Sequence, residues 1–461
     1  MRYIDCTVTI IKDMQNVSIE YVDGKITRQR EGRLAADPVD MLTVERLNYW
    51  INYGLQVQEK TALQGLKEGK GIVASENPTR LEDLKLVGLI LYKILFNDPL
   101  IQDGFHTAYQ HFYETYHQEE SDMQSSDLRM RLKLVFQENL DKLSNLPWEF
   151  LFIPGEDDEL DGHFFSGEKT ELLLTRYVPR SRLVSELGVR EEQLRILVVV
   201  CTPAGMGGVD EEDIKKLLDK MQSIPRVKVT DRYDLTYGEL SREINDDGHP
   251  PYHILHFIGH GEADGLYLIK DPSDDDFDPE RGPKQRQLYS ALQFRKIFSN
   301  ARRKPRMIFL HACKGASQTQ EGFKSTARQL VYAEIPAVVA MQYSISHSDA
   351  GIFSRKFYEE LGKGKEIDEA VKEGRLQLGL RTPPWEHPRF GTPVVYLQSE
   401  LVNEIVKPLP VLEGEAEQPA PEPGVLPGGA PSPLGATGAE GPARLEGAAA
   451  RPAEKVADTE F

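Results

Sequence analysis

A histidine held between two glycines and a cysteine at the end of an apolar run are the residues of this chain best suited to covalent chemistry. The histidine is His260, in His256-Phe257-Ile258-Gly259-His260-Gly261-Glu262. The cysteine is Cys313, in Phe309-Leu310-His311-Ala312-Cys313-Lys314-Gly315. A free thiol is mostly protonated near neutrality, and a base beside it makes a strong nucleophile. In that pairing His260 is the base and Cys313 the nucleophile. The backbone N–H groups of Gly261 and Cys313 are candidates for an oxyanion hole, which would hold the charge developing on an attacked carbonyl. His253, His256 and His311 read as hydrogen-bonded scaffold. Cys6 and Cys201 read as small buried hydrophobes.

Such a pair needs strands to carry it. From about Leu194 the sequence alternates short apolar runs with amphipathic stretches. The runs are Ile196–Cys201, Val227–Val229, Ile254–Ile258, Met307–Leu310, Ala337–Met341 and Val394–Leu397. The helical stretches are Glu211–Gln222, Tyr237–Ile244, Gln320–Tyr332, Ser348–Leu361 and Ile367–Leu378. Wholly apolar strands alternating with helices predict an α/β fold, a mostly parallel sheet covered on both faces. Ligands of such sheets bind beyond the carboxyl ends of the strands, where His260 and Cys313 fall.

The first 30 residues predict a hairpin: Arg2–Ile11 and Val17–Val22 are rich in Val, Ile, Tyr and Thr, and Asp23-Gly24 is a turn dipeptide. Helical spacing runs from Met41 to about His117, Asp127–Phe136 alternates as a half-buried strand, and Leu172–Tyr177 is a further strand. The acidic run Asp271–Glu280 leads into a basic cluster with Arg281, Lys284 and Arg286, and reads as a flexible surface loop. That run lacks the glycine and spacing of a calcium loop. Ala204-Gly205-Met206-Gly207-Gly208 has the look of a dinucleotide turn, but acids stand where its third glycine belongs.

A net charge of −18 argues against nucleic acid as a direct partner. Three cysteines with no CxxC pair leave neither a disulfide framework nor a metal site, and the chemistry asks for no cofactor. Met1–Lys12 has no secretory leader, and no apolar stretch is long enough for a membrane span, so cytoplasmic placement is expected. Residues beyond about 407 are dominated by Pro, Ala, Gly and Glu, and predict a disordered tail.

The stretch Leu194–Leu397 resembles the CHAT family of caspase-like peptidases, in the group that includes caspases and separases. The resemblance rests on the His260 and Cys313 segments, on Ile335-Pro336-Ala337-Val338-Val339-Ala340-Met341-Gln342, and on Ser348-Asp349-Ala350. Phe353, Phe357-Tyr358, Ile367-Asp368-Glu369-Ala370 before Arg375, and the upstream Leu146-Pro147-Trp148-Glu149 add to it. It implies a caspase-like sheet over 186–406, preceded by a smaller α/β regulatory or partner-binding region over 1–185 and followed by a tail over 407–461. It also implies a cysteine endopeptidase of a protein substrate, in regulated proteolysis such as defence or cell-death signalling. A catalytically silent interaction module on the same fold is the alternative.

His260 matches the family's base and Cys313 its nucleophile. Asp349 matches an acidic position that would favour a basic substrate residue, although it can equally cap the helix that follows. Gln342 and His311 are further pocket candidates; His311 and Lys314 depart from the family's usual residues beside the cysteine. Activating cleavage often falls between the two catalytic residues in such enzymes, which makes Arg281, Lys284 or Arg286 a candidate self-cleavage site.

Overall fold

The apolar runs form the expected strands, and a computed structural model shows how they assemble. It describes residues 2–11, 16–24, 26–34, 43–44, 46, 81–123, 126–137, 140–178, 193–206, 211–262, 265–299, 304–312, 324–332, 335–343, 345, 347–381 and 388–405. Cys313, the Gly207-Gly208 turn, much of the helical stretch after Met41 and the tail from 407 lie outside the described residues.

Strands β1 (Arg2–Ile10) and β2 (Asn16–Asp23) form the predicted hairpin, and β3 (Ile26–Arg33) extends it. Two helices follow, α1 (Leu81–Phe96) and α2 (Pro99–Met123), then β4 (Leu128–Phe136) and the single turn α3 (Asp141–Ser144). The short pair β5 (Phe152–Ile153) and β6 (His163–Phe164) precedes β7 (Leu172–Tyr177).

The second half alternates more regularly. It runs β8 (Leu194–Val200), α4 (Glu211–Gln222), β9 (Val227–Tyr233), α5 (Tyr237–Asn245) and β10 (Ile254–Gly259). A small antiparallel sheet of β11 (Gly261–Glu262), β12 (Gly265–Ile269) and β13 (Arg286–Ser290) is inserted next. Then come α6 (Ala291–Ser299), β14 (Met307–Ala312), α7 (Lys324–Tyr332), β15 (Ala337–Met341), α8 (His347–Gly362), α9 (Ile367–Gly379) and β16 (Pro393–Leu397).

Local signals account for several boundaries. Thr236 and Glu239 form a capping box that starts α5. Helix α4 buries Ile214, Leu217 and Met221, which share one helical face.

Eleven strands form one sheet in the order β3-β2-β1-β4-β7-β16-β15-β14-β10-β8-β9. β1, β4, β7 and β16 are mutually parallel. So are β15, β14, β10, β8 and β9. The two blocks meet antiparallel at β15 and β16, so their carboxyl ends lie on opposite edges of the sheet.

The sheet is hydrogen-bonded straight across the boundary expected near residue 185. Contacts divide the chain only into Met1–Leu409 and Pro410–Phe461. No helix among the described residues is long and apolar enough to cross a membrane.

β4 departs from the half-buried expectation, because Arg131 and Lys133 are buried as well. Arg131 Nε lies 2.6 Å from Asp368 and Lys133 Nζ 2.8 Å from Asp5. The alternation in β4 therefore separates an apolar face from a paired charged face, not core from water.

The Asp271–Arg286 interval is also better built than a flexible loop. Lys270 Nζ donates to the Asp276 carbonyl at 2.9 Å, Pro279–Arg281 forms a 3-10 turn, and Arg286 begins β13 opposite Ile269. The Asx turns at Asp271 and Asp278 satisfy local backbone N–H groups, which is what a run of aspartates does well.

Candidate active site

β10 and β14 are adjacent and parallel, with Cα partners running from Ile254 and Met307 to Gly259 and Ala312. His260 is the residue after Gly259, and Cys313 the residue after Ala312. Only Gly fits at position 259, because a Cβ there would come 2.9 Å from both the Cys201 carbonyl and the Phe257 ring. The backbone at Gly259 is not left-handed; close approach of β8 and β10, rather than a sharp turn, explains that glycine.

His260 is 1% exposed and its carbonyl accepts the Tyr267 N–H at 2.9 Å. That bond makes Gly261 and Leu266 a non-hydrogen-bonded antiparallel pair. The Gly261 N–H is consequently turned away from β12. Glu262 anchors the far end of this short strand: its carbonyl accepts Thr326 Oγ1 from α7 at 2.8 Å, and its carboxylate accepts the Tyr267 hydroxyl.

Further back along β10 and β14 lies a cluster whose histidines the sequence reading assigned to scaffold, with His311 also a pocket candidate. His256 and Phe309 are register partners with ring centroids 4.3 Å apart. His311, two residues beyond Phe309 and on the same face, has its ring 5.7 Å from that of His256. The Tyr358 hydroxyl of α8 lies 3.2 Å from His256 Nδ1. Burial holds His256 far below the usual imidazole range, and neighbouring His311 adds to the effect. The period of two along β14 is the signal for this cluster, since it places Phe309 and His311 on one strand face beside His256.

The other named residues disperse. His311 is buried beside His256, not in an open cleft. Gln342 is fully buried; its amide donates to Glu149 Oε2 at 2.8 Å and to the Gly391 carbonyl. Asp349 lies in the first turn of α8, with Arg381 at 3.0 Å and Arg389 at 3.4 Å. Its charge is therefore matched by the chain's own guanidiniums.

Lys284 Nζ is 2.6 Å from Asp234, and Arg286 is paired in β13. Arg281 has its side chain 78% exposed, 3.1 Å from Asp278. Cys6 and Cys201 are buried, and burial pushes both thiols up to about 12. His253 Nδ1 accepts the Arg195 N–H at 3.0 Å, which ties the start of β10 to β8. Among the described residues, no group of three or more His, Cys, Asp or Glu is arranged to hold a metal ion.

A second buried polar centre lies where the strand blocks join. Arg176 of β7 donates to Glu149 Oε1 at 3.1 Å, to the Ser144 carbonyl at 2.6 Å and to the Tyr396 hydroxyl at 3.1 Å. Arg375 of α9 lies 3.5 Å from Glu149 and donates to the Pro393 carbonyl at 2.7 Å. Glu149 and Arg375, far apart in sequence, thus meet at one carboxylate together with Gln342.

A family model described as the CHAT domain matches residues 90–391. The match begins well ahead of Leu194 and includes Glu149 as well as His260, Cys313 and Arg375. Among solved structures, two crystal structures of the Saccharomyces cerevisiae separase–securin complex are similar, with TM-scores of 0.42 and 0.39 and identities of 12% and 11%. Each alignment covers 86% of this chain and 30% of that chain, so this chain spans less than a third of their length. No curated protein matches.

Proposed function

This chain belongs to the CHAT domain family, and we propose that it is a cysteine endopeptidase working through His260 and Cys313. The observation that carries the reading is the register of β10 and β14, which makes the residues before His260 and Cys313 direct neighbours. Adjacent strands lie about 4.8 Å apart, a span that an imidazole and a thiol can close.

In this mechanism His260 takes the thiol proton and the thiolate attacks the peptide carbonyl carbon. The oxygen's charge is held by the Gly261 N–H, which is turned away from β12, together with the Cys313 N–H. Collapse of the tetrahedral intermediate breaks the C–N bond, and His260 returns its proton to the leaving amine. A thioester remains. Water, deprotonated by His260, then releases the acid and restores the thiol. The substrate is a protein, and the setting is regulated proteolysis such as defence or cell-death signalling. The first 185 residues serve as a partner-binding region. If the chain cleaves itself between the catalytic residues, Arg281, with its side chain 78% exposed, is more accessible than Lys284 at 53%.

A thiol-reactive peptide electrophile tests this directly. Cys313 should label far faster than Cys6 and Cys201, whose buried and raised thiols are internal controls. Cys313→Ala should lower cleavage by a factor of about 10⁴ or more. Labelling of Cys313 no faster than the other two, with no cleavage lost in Cys313→Ala, overturns the reading.

A further inference from the structure

The edge that carries His260 holds a second feature that the proposed mechanism does not use. A cavity of about 450 Å³ opens beyond the carboxyl ends of β8 and β9. Its apolar lining includes Val200, Pro203 and Ile214, and its charged groups are Glu211, Asp234 and Lys284. Tyr233 stands at its rim, 50% exposed despite its large ring.

Asp234 is the centre of this site. It has φ of 51°, in the left-handed region that non-glycine residues rarely occupy. One of its oxygens accepts the Thr202 N–H at 2.8 Å and the Thr202 hydroxyl at 3.1 Å. The other faces Lys284 Nζ at 2.6 Å. The Lys284 carbonyl in turn accepts the Ala204 N–H at 2.7 Å. Lys284 thus reaches from the loop before β13 to the cavity and presents an ammonium group to its carboxylate. Glu211 adds a second carboxylate, so the charged side chains of the lining sum to a net negative charge.

We propose that this cavity is a subsite for a basic side chain of the substrate, and that Lys284 occupies its carboxylate as an internal competitor. The apolar lining suits the methylene stem of an arginine or lysine, while Asp234 and Glu211 suit its charge. The exposed Tyr233 ring offers a face to the same cation.

The placement fits a peptide laid across the edge. Val200 is the register partner of Ile258, and Tyr233 that of Val200. Tyr233 therefore lies two strand spacings from β10, roughly 10 Å. An extended peptide advances about 3.3 Å per residue, so the basic residue would stand about three positions from the bond attacked. The proposal rests on the peptidase reading for the identity of its ligand as substrate, but not for the binding itself.

The test uses full-length protein carrying Cys313→Ala, so that binding is read without cleavage. Two fluorescein-labelled alanine peptides, one with a central arginine and one with its neutral isostere citrulline, are titrated by anisotropy. The arginine peptide should bind about tenfold more tightly. Glu211→Gln, at an exposed position, should reduce that preference about threefold. Lys284→Ala should tighten arginine binding about threefold and leave citrulline unchanged. Lys284→Gln, which keeps the stem, should do the same if the alanine variant misfolds. Equal binding of the two peptides overturns the proposal. So does a preference that neither Glu211→Gln nor the Lys284 variants alter, which would mean diffuse attraction to an acidic protein. Labelling of Cys313, not peptide binding, decides the peptidase reading, so the two ideas fail separately.

Discussion

At the join between the two strand blocks, buried polar groups are charged and paired; on the strands that lead to the candidate site they are two imidazoles and a phenol. Glu149 meets two guanidiniums, and backbone carbonyls, Tyr396 and Gln342 complete their hydrogen bonding. His256, His311 and Tyr358 lie under a similar thickness of protein, and their rings pack on one another. A buried ion pair is a rigid staple, since breaking it strands a charge. A buried imidazole pays for its burial only when it must take up a proton. The first region holds β7, β16 and α9 in place at any ordinary pH. The second leaves the floor of the site sensitive to acid.

The contrast can be broken most severely at Glu149. Glu149→Gln removes the carboxylate that Arg176 and Arg375 share and leaves the fully buried Arg176 without its ion-pair partner. Stability measured by chemical denaturation should fall by about 3–5 kcal/mol. Cleavage should decline only as the folded fraction declines, which separates this seam from the site. A Glu149→Gln protein that is fully stable yet inactive would place Glu149 in the site instead.

A smaller effect belongs to pH. His256 has a folded pKa below its unfolded value, so the unfolded chain binds the proton first. Its contribution to stability is complete above the unfolded imidazole pKa near 6.5 and is lost as pH falls below it. The loss should accumulate at about 1.4 kcal/mol per pH unit. His163, which burial and the nearby Lys169 and Lys372 bring down to about 4, should add to the slope between about 6.5 and 4. Denaturation midpoints measured from pH 7.5 to 5 should show this slope, and His256→Phe should make it shallower.

Tyr358→Phe is the mildest probe. It removes the hydroxyl beside His256 Nδ1, and stability should fall by about 1 kcal/mol. Because the imidazole remains buried, the acid slope should persist. A Tyr358→Phe protein whose acid slope vanishes would show that the phenol, not burial, governs His256.

The strands of the second block were legible because parallel strands buried on both faces are apolar throughout. Ile254–Gly259, Met307–Ala312 and Ala337–Met341 follow directly from that pattern, as do the five helices that were named. The inserted sheet was harder to read. Gly265–Ile269 and Arg286–Ser290 are short and sit on either side of an acidic stretch that resembles open loop. Long-range pairing was invisible for the same reason in β4, where Arg131 and Lys133 imitate a solvated face. Their partners, Asp368 and Asp5, are distant in the sequence or on a neighbouring strand. At the site, the glycines around His260 were legible as a motif, while the roles of Gln342 and Asp349 depended on which basic or acidic groups the fold brings beside them. No local pattern contains that information.

β16 is the last strand of the described sheet to be synthesised, yet it sits at the centre, between β7 and β15. Until Pro393–Leu397 leaves the ribosome, each half-sheet carries a bare inner edge of unpaired backbone groups. A nascent chain can fold its two halves, but it cannot join them. Premature termination anywhere before that strand would leave fragments prone to stick to one another instead of a working protein. Assembly of the sheet is thus tied to completion of translation through β16.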